Sequence, residues 1–248
     1  MPARSYHACL RVCHLQFFFS SRANGEPARQ KFMIPTSLLD QLAQYGVVPV
    51  IAIENPEAAL PLADALQQGG LPVIEVTFRT AAAASVIRQL VQERPQLLVG
   101  AGTVLTSSNL EAARASGAAF AVAPGLNPQL LKEAERLGLP FIPGVATPSE
   151  IESALGLGCR LMKFFPAEAL GGVVMLEALS APYKHTGIRF MPTGGVNPAN
   201  LESYLKLATV AAVGGTWLAK KDDLAGGKWD EVRNRCGAAL KIVARARG

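Results

Sequence analysis

Histidine is almost missing from this chain of 248 residues. There are three, and two of them, His7 and His14, fall within the first 32 positions, which leaves His185 alone in the remainder. Other absences go with it. There is no H-x-x-x-H, no acidic pair at metal-ligand spacing and no G-x-S-x-G elbow, so metal-assisted hydrolysis and serine–histidine catalysis lack their residues. The four cysteines are too few and too scattered for a disulfide framework; Cys159 and Cys236 stand isolated and read as structural. No apolar run approaches the roughly 18 to 20 residues of a membrane helix. No G-x-G-x-x-G follows the first strand-like run and no G-x-x-x-x-G-K-[ST] occurs, which argues against a dinucleotide fold and a P-loop.

What is present is material for a large core, since half the residues are hydrophobic and only 17% are charged. The net charge of +5 suggests a nucleic-acid partner until the charges are located. Of 24 basic and 19 acidic residues, five bases and one acid fall in residues 1–32, which leaves 19 and 18 for the rest. The body is therefore close to neutral, and no nucleic-acid partner is expected. The short apolar piece Leu15-Gln16-Phe17-Phe18-Phe19 is too brief for a secretory core, so export is not expected and a cytoplasmic location is. An arginine-rich, nearly acid-free start resembles an organelle transit peptide. The reading we prefer is a leader over 1–32, disordered or upstream of a true start at Met33, ahead of one domain over 33–248.

From Thr36 onward, β-branched apolar runs alternate with longer amphipathic segments. Ser37 opens an N-terminal helix over 38–45, which Gly46 ends. Strands are expected at 47–53, 73–78, 97–104, 120–123, 141–145, 161–165, 189–192 and 210–214, each followed by a helix. Eight such units in about 215 residues predict a single (β/α)8 TIM barrel behind that N-terminal helix.

Barrel strands should be apolar, so the charges inside two of them carry information. In Val73-Ile74-Glu75-Val76-Thr77-Phe78-Arg79 the period of two puts Glu75, Thr77 and Arg79 on the lumen face. Lys163 sits in Leu161-Met162-Lys163-Phe164-Phe165-Pro166, where desolvation favours a neutral, nucleophilic amine of the kind that forms a Schiff base. A Glu75 carboxylate across the lumen opposes that shift, or shares and relays a proton with the amine. The structural alternatives are a self-satisfying ion pair and a lysine that snorkels from a strand end. Strand seven ends Thr193-Gly194-Gly195 and strand eight Gly214-Gly215-Thr216, two bare-backbone turns where barrels commonly bind phosphate. Arg79 could grip a carboxylate through two parallel hydrogen bonds. Thr103 and Pro124 are further strand-end positions, each compatible with plain turn chemistry, and Thr147 reads as a helix N-cap.

Five motifs in order then carry a resemblance: Glu75-Val76-Thr77-Phe78-Arg79-Thr80, Gly100-Ala101-Gly102-Thr103-Val104, Lys163-Phe164-Phe165-Pro166-Ala167-Glu168, Pro192-Thr193-Gly194-Gly195 and Gly214-Gly215-Thr216-Trp217-Leu218. Over about residues 37–245 the sequence resembles the 2-keto-3-deoxy-6-phosphogluconate (KDPG) aldolases, which often also act on 4-hydroxy-2-oxoglutarate (KHG). The resemblance implies a class I aldolase of the Entner–Doudoroff pathway, a homotrimer working without metal or other cofactor. In it Lys163 forms the Schiff base and Glu75 is the general acid/base. Arg79 and Thr103 bind the pyruvyl carboxylate, and Pro124, Phe165 and Thr193 shape the pocket. Gly194, Gly195, Gly215 and Thr216 hold the phosphate. Thr216 stands where many relatives have serine. Two other functions fit the same elements: a phosphate-binding isomerase or decarboxylase without a covalent lysine, and a non-catalytic sugar-phosphate binder.

Overall fold

The computed structural model describes residues 34–248; the leader expected over 1–32 and the start at Met33 lie outside them. Helix α1 (Thr36–Tyr45) buries Leu38 and Leu42 and stops at Gly46, whose φ of 70° a side chain would resist. The strands that follow are β1 (Val47–Ile51), β2 (Val73–Thr77), β3 (Leu98–Gly102), β4 (Phe120–Val122), β5 (Phe141–Ile142), β6 (Gly144–Val145), β7 (Leu161–Phe164), β8 (Arg189–Pro192) and β9 (Val213–Gly215). Between and after them run α2 (Ala59–Gln68), α3 (Ala83–Glu93), α4 (Ser107–Ala115), α5 (Pro128–Leu137), α6 (Pro148–Gly156), α7 (Gly172–Ser180), α8 (Leu201–Leu205), α9 (Lys221–Ala225) and α10 (Trp229–Arg247). The strands are mostly apolar because both faces are covered: all five residues of β2 and all four of β7 are buried, Glu75, Thr77 and Lys163 being their polar members.

The expected closed eight-stranded TIM barrel is not what these strands build. They form a six-stranded parallel sheet in the order β5-β4-β3-β2-β1-β9 and a separate three-stranded sheet, β6-β7-β8. The first is curled like half of a barrel wall. Two local features break the ring. The expected fifth strand, 141–145, is split at Pro143, which has no N–H to donate. Its first part pairs with β4 and its second with β7, so the chain changes sheet at the proline. Gly144, just beyond, lies so close to the backbone of Pro124 that a Cβ there would overlap it. At the other seam, the last strand starts at Val213 rather than 210, and the backbone pairing there is reduced to the isolated bridges Phe190–Val210 and, just past β8, Thr193–Gly214.

Smaller shifts follow cap chemistry. The helix expected after the first strand begins as a 3-10 turn, Pro56–Ala58, with the Asn55 side chain accepting from the Glu57 N–H. The helix expected after the strand at 189–192 is only the short α8, and α9 is an element that periodicity did not predict. Helix α10 packs back against α2 and α8 and closes the helical layer outside the six-stranded sheet. Every ladder is parallel, so the C-terminal ends of the strands gather on one side in each sheet. No helix among the described residues is long and apolar enough to cross a membrane.

Candidate active site

Strand β2 belongs to the larger sheet and β7 to the smaller, and their two charged residues meet between them. Lys163 Nζ lies 3.4 Å from Glu75 Oε1. Glu75 is wholly buried and Lys163 is 5% exposed, which removes the snorkelling alternative. The ammonium also sits 5.5 Å from the centre of the Phe165 ring, within cation–π range. Glu75 fits only because Gly102 on the neighbouring β3 has no side chain: a Cβ there would overlap the carboxylate.

The pair is not a self-satisfied one. Glu75 Oε2 and the Thr77 hydroxyl, two residues along the same strand face, are both buried without a hydrogen-bond partner among the described residues. An unpaired buried polar atom costs about 1–3 kcal/mol. A pair selected for stability alone would have its remaining oxygen bonded, so the unused valence points to chemistry with a third party.

The other strand-end candidates sit as follows. Arg79 lies two residues beyond the end of β2, exposed in the turn. Thr103 follows β3 with φ at 56°, the one non-glycine residue described with a positive value, a conformation that has to be held by its surroundings. Pro124 and Phe165 are half-buried after β4 and β7. Thr193 is buried; its hydroxyl faces Gly214, where a Cβ would overlap it. Gly194 and Gly195 turn with φ of 99° and 83°. Among the described residues the N–H groups of Gly194, Gly195 and Thr216 find no acceptor. Such free amides beside left-handed turns suit an oxyanion. Gly215 is buried and Thr216 exposed at the end of β9.

Two further residues belong to this end of the molecule. The Tyr204 hydroxyl on α8 donates to Glu168 Oε1 over 2.5 Å. Tyr204 is fully buried, and burial, with the carboxylate acting in the same direction, pushes its phenol well above the usual tyrosine range. Glu168 stands in the Lys163 motif, but its role there was not legible: its partner lies 36 positions away on a helix with ordinary amphipathic spacing. The two cysteines are inert by contrast. Burial pushes the thiols of Cys159 and Cys236 up to about 12, which removes them as nucleophiles. His185 is exposed in the connector after α7.

The family of KDPG and KHG aldolases matches residues 39–235. The chain is 46% identical over 206 residues to the 2-dehydro-3-deoxy-phosphogluconate aldolase of Haemophilus influenzae, covering 83% of this chain and 96% of that one. It is 46% identical over 197 residues to the KHG/KDPG aldolase of Escherichia coli K12, covering 79% and 92%. Among solved structures it resembles a KDPG aldolase of Legionella pneumophila holding pyruvate as a covalent carbinolamine, with a TM-score of 0.77, 42% identity and coverage of 80% and 95%.

Proposed function

The chain belongs to the KDPG and KHG aldolase family, and from that membership we propose that it is a class I aldolase cleaving KDPG reversibly to pyruvate and D-glyceraldehyde 3-phosphate. KHG, cleaved to pyruvate and glyoxylate, is its second substrate. The observation that carries the reading is the buried amine of Lys163 beside the buried carboxylate of Glu75.

In this reading Lys163 Nζ adds to C2 of the keto acid, forming a carbinolamine that loses water to an iminium. Glu75 is the group within reach to take the proton the amine gives up and to return one to the departing hydroxyl. The iminium draws electrons from the C3–C4 bond as the C4 hydroxyl loses its proton. That bond breaks, the aldehyde leaves and an enamine remains on Lys163. Protonation at C3 and addition of water at C2 release pyruvate and restore the amine. Arg79 and Thr103 hold the carboxylate of the pyruvyl end, while Pro124, Phe165 and Thr193 line the space around the reacting carbons. The free amides of Gly194, Gly195 and Thr216, with the bare backbone of Gly215 beside them, hold the phosphate and thereby orient the C3–C4 bond.

We assign the aldolase domain to residues 33–248, leaving 1–32 outside it. We also place the enzyme in the Entner–Doudoroff pathway, as a cytoplasmic homotrimer. These assignments follow the family resemblance, and light scattering on the purified protein tests the trimer. The mechanism is tested by adding borohydride with pyruvate. The protein should lose activity and carry one reduced adduct, mapped by peptide mass to Lys163. Lys163→Met should fold normally and cleave no KDPG. An unmodified, fully active protein after borohydride would end the Schiff-base reading.

A further inference from the structure

The loop after β7 is fastened to the turn after β8 at three points. The Ala167 N–H donates to the Thr193 carbonyl at 2.8 Å, and the Glu168 N–H donates to the Gly194 carbonyl at 3.0 Å. The Glu168 stem fills the space beside Gly195: a Cβ on that glycine would lie 2.5 Å from the Glu168 Cβ. From there the carboxylate passes over Gly172 and ends on the Tyr204 hydroxyl, its one partner among the described residues. An anionic side chain therefore rests its stem on a glycine assigned to phosphate, with its head held by a phenol.

We propose that Tyr204 is a positioning residue for phosphorylated substrate: its hydroxyl holds the Glu168 carboxylate on α8, so that the negative charge does not turn onto the Gly194–Gly195 amides where the phosphate binds. This deepens the aldolase reading and rests on its phosphate assignment. Two anions cannot share one small cluster of amides without repulsion. The backbone and stem of Glu168 meanwhile order the turn, through the bond to the Gly194 carbonyl and the packing beside Gly195.

The test separates charge from structure. Tyr204→Phe keeps the ring and frees the carboxylate. It should raise KM for KDPG about tenfold, as loss of a hydrogen bond to a charged group predicts, with kcat changed less than about twofold. Borohydride trapping of pyruvate, which carries no phosphate, should keep its wild-type concentration dependence. Adding Glu168→Gln to that variant removes the charge and should return KM for KDPG toward the wild-type value. A double variant as poor as Tyr204→Phe alone would show that the contact is only a structural anchor, and would overturn the proposal. So would an equal weakening toward KDPG and pyruvate. Should Tyr204→Phe fail to fold, Glu168→Gln alone decides, since any rise in its KM for KDPG contradicts the charge argument. Failure of the wild-type protein to trap pyruvate on Lys163 would instead strike the aldolase reading itself.

Discussion

A methyl group added at Gly102 would stand 2.7 Å from the Glu75 Cγ and 2.8 Å from its carboxyl carbon, closer than real side-chain carbons come. Both residues are buried in adjacent strands, and the register pairs Glu75 with Gly100 and Thr77 with Gly102, so neither backbone can step aside cheaply. Gly102→Ala should therefore displace the carboxylate from Lys163 and lower kcat on KDPG by about a hundredfold, the lower end of what general acid–base catalysis contributes. Steady-state kinetics beside a circular dichroism spectrum would check this; full kcat in a folded variant would mean the carboxylate has room to spare. Glu75 and Lys163 were legible in the sequence because a charge inside an apolar strand has to be explained. Gly102 was not, because a glycine within the expected strand 97–104 shows what it makes room for only once β3 is seen running beside β2. Glu168 and Tyr204 were hidden for a different reason. Each is unremarkable in its own segment, and only the fold of the loop brings them together.

Among elements, alternation of apolar runs located the strands well but could not decide how they close. Hydrophobic periodicity reports which residues are buried, and a strand buried in one closed ring has the same pattern as one buried in two sheets. The deciding residue, Pro143, is a single missing donor in the middle of an apolar run. Cap chemistry was easier to read. Thr147, at a strand end where a threonine could have faced substrate, instead starts α6. Its hydroxyl accepts from the Glu150 N–H, and Glu150 accepts from the Thr147 N–H at 2.9 Å. Thr147→Ala should lower stability by about 1 kcal/mol in urea denaturation. KM and kcat should be unchanged, whereas a rise in KM would place Thr147 in the pocket with Thr103.

The molecule as a whole gains little from its net charge. The +5 lies almost entirely in residues 1–32, and the remaining 19 bases face 18 acids. Acid stability should then depend on particular pairs rather than on an overall field. One of these joins the last helix to the segment after β9. Arg235 on α10 donates two hydrogen bonds to Asp223, at 2.6 and 2.8 Å, and also reaches the carbonyls of Trp217 and Leu218 beside Thr216. Asp223 is 4% exposed, and its carboxyl is held down to about 2, chiefly by the Arg235 hydrogen bonds and less by the Lys220 N–H. An unfolded aspartate titrates near 3.9, so the folded state prefers the carboxylate by about 2 to 3 kcal/mol. That preference is fully present above about pH 4 and is lost as the pH falls through 2, because the folded form then takes up the proton as well. Asp223→Asn removes the charge at every pH. The variant should be less stable than wild type by about that amount at neutral pH, and the gap should close between about pH 4 and pH 2. Denaturant titrations of both proteins across that range measure it. A gap of constant size would mean that Asp223 acts through shape and hydrogen bonding, with its charge contributing nothing to the join between α10 and the segment after β9.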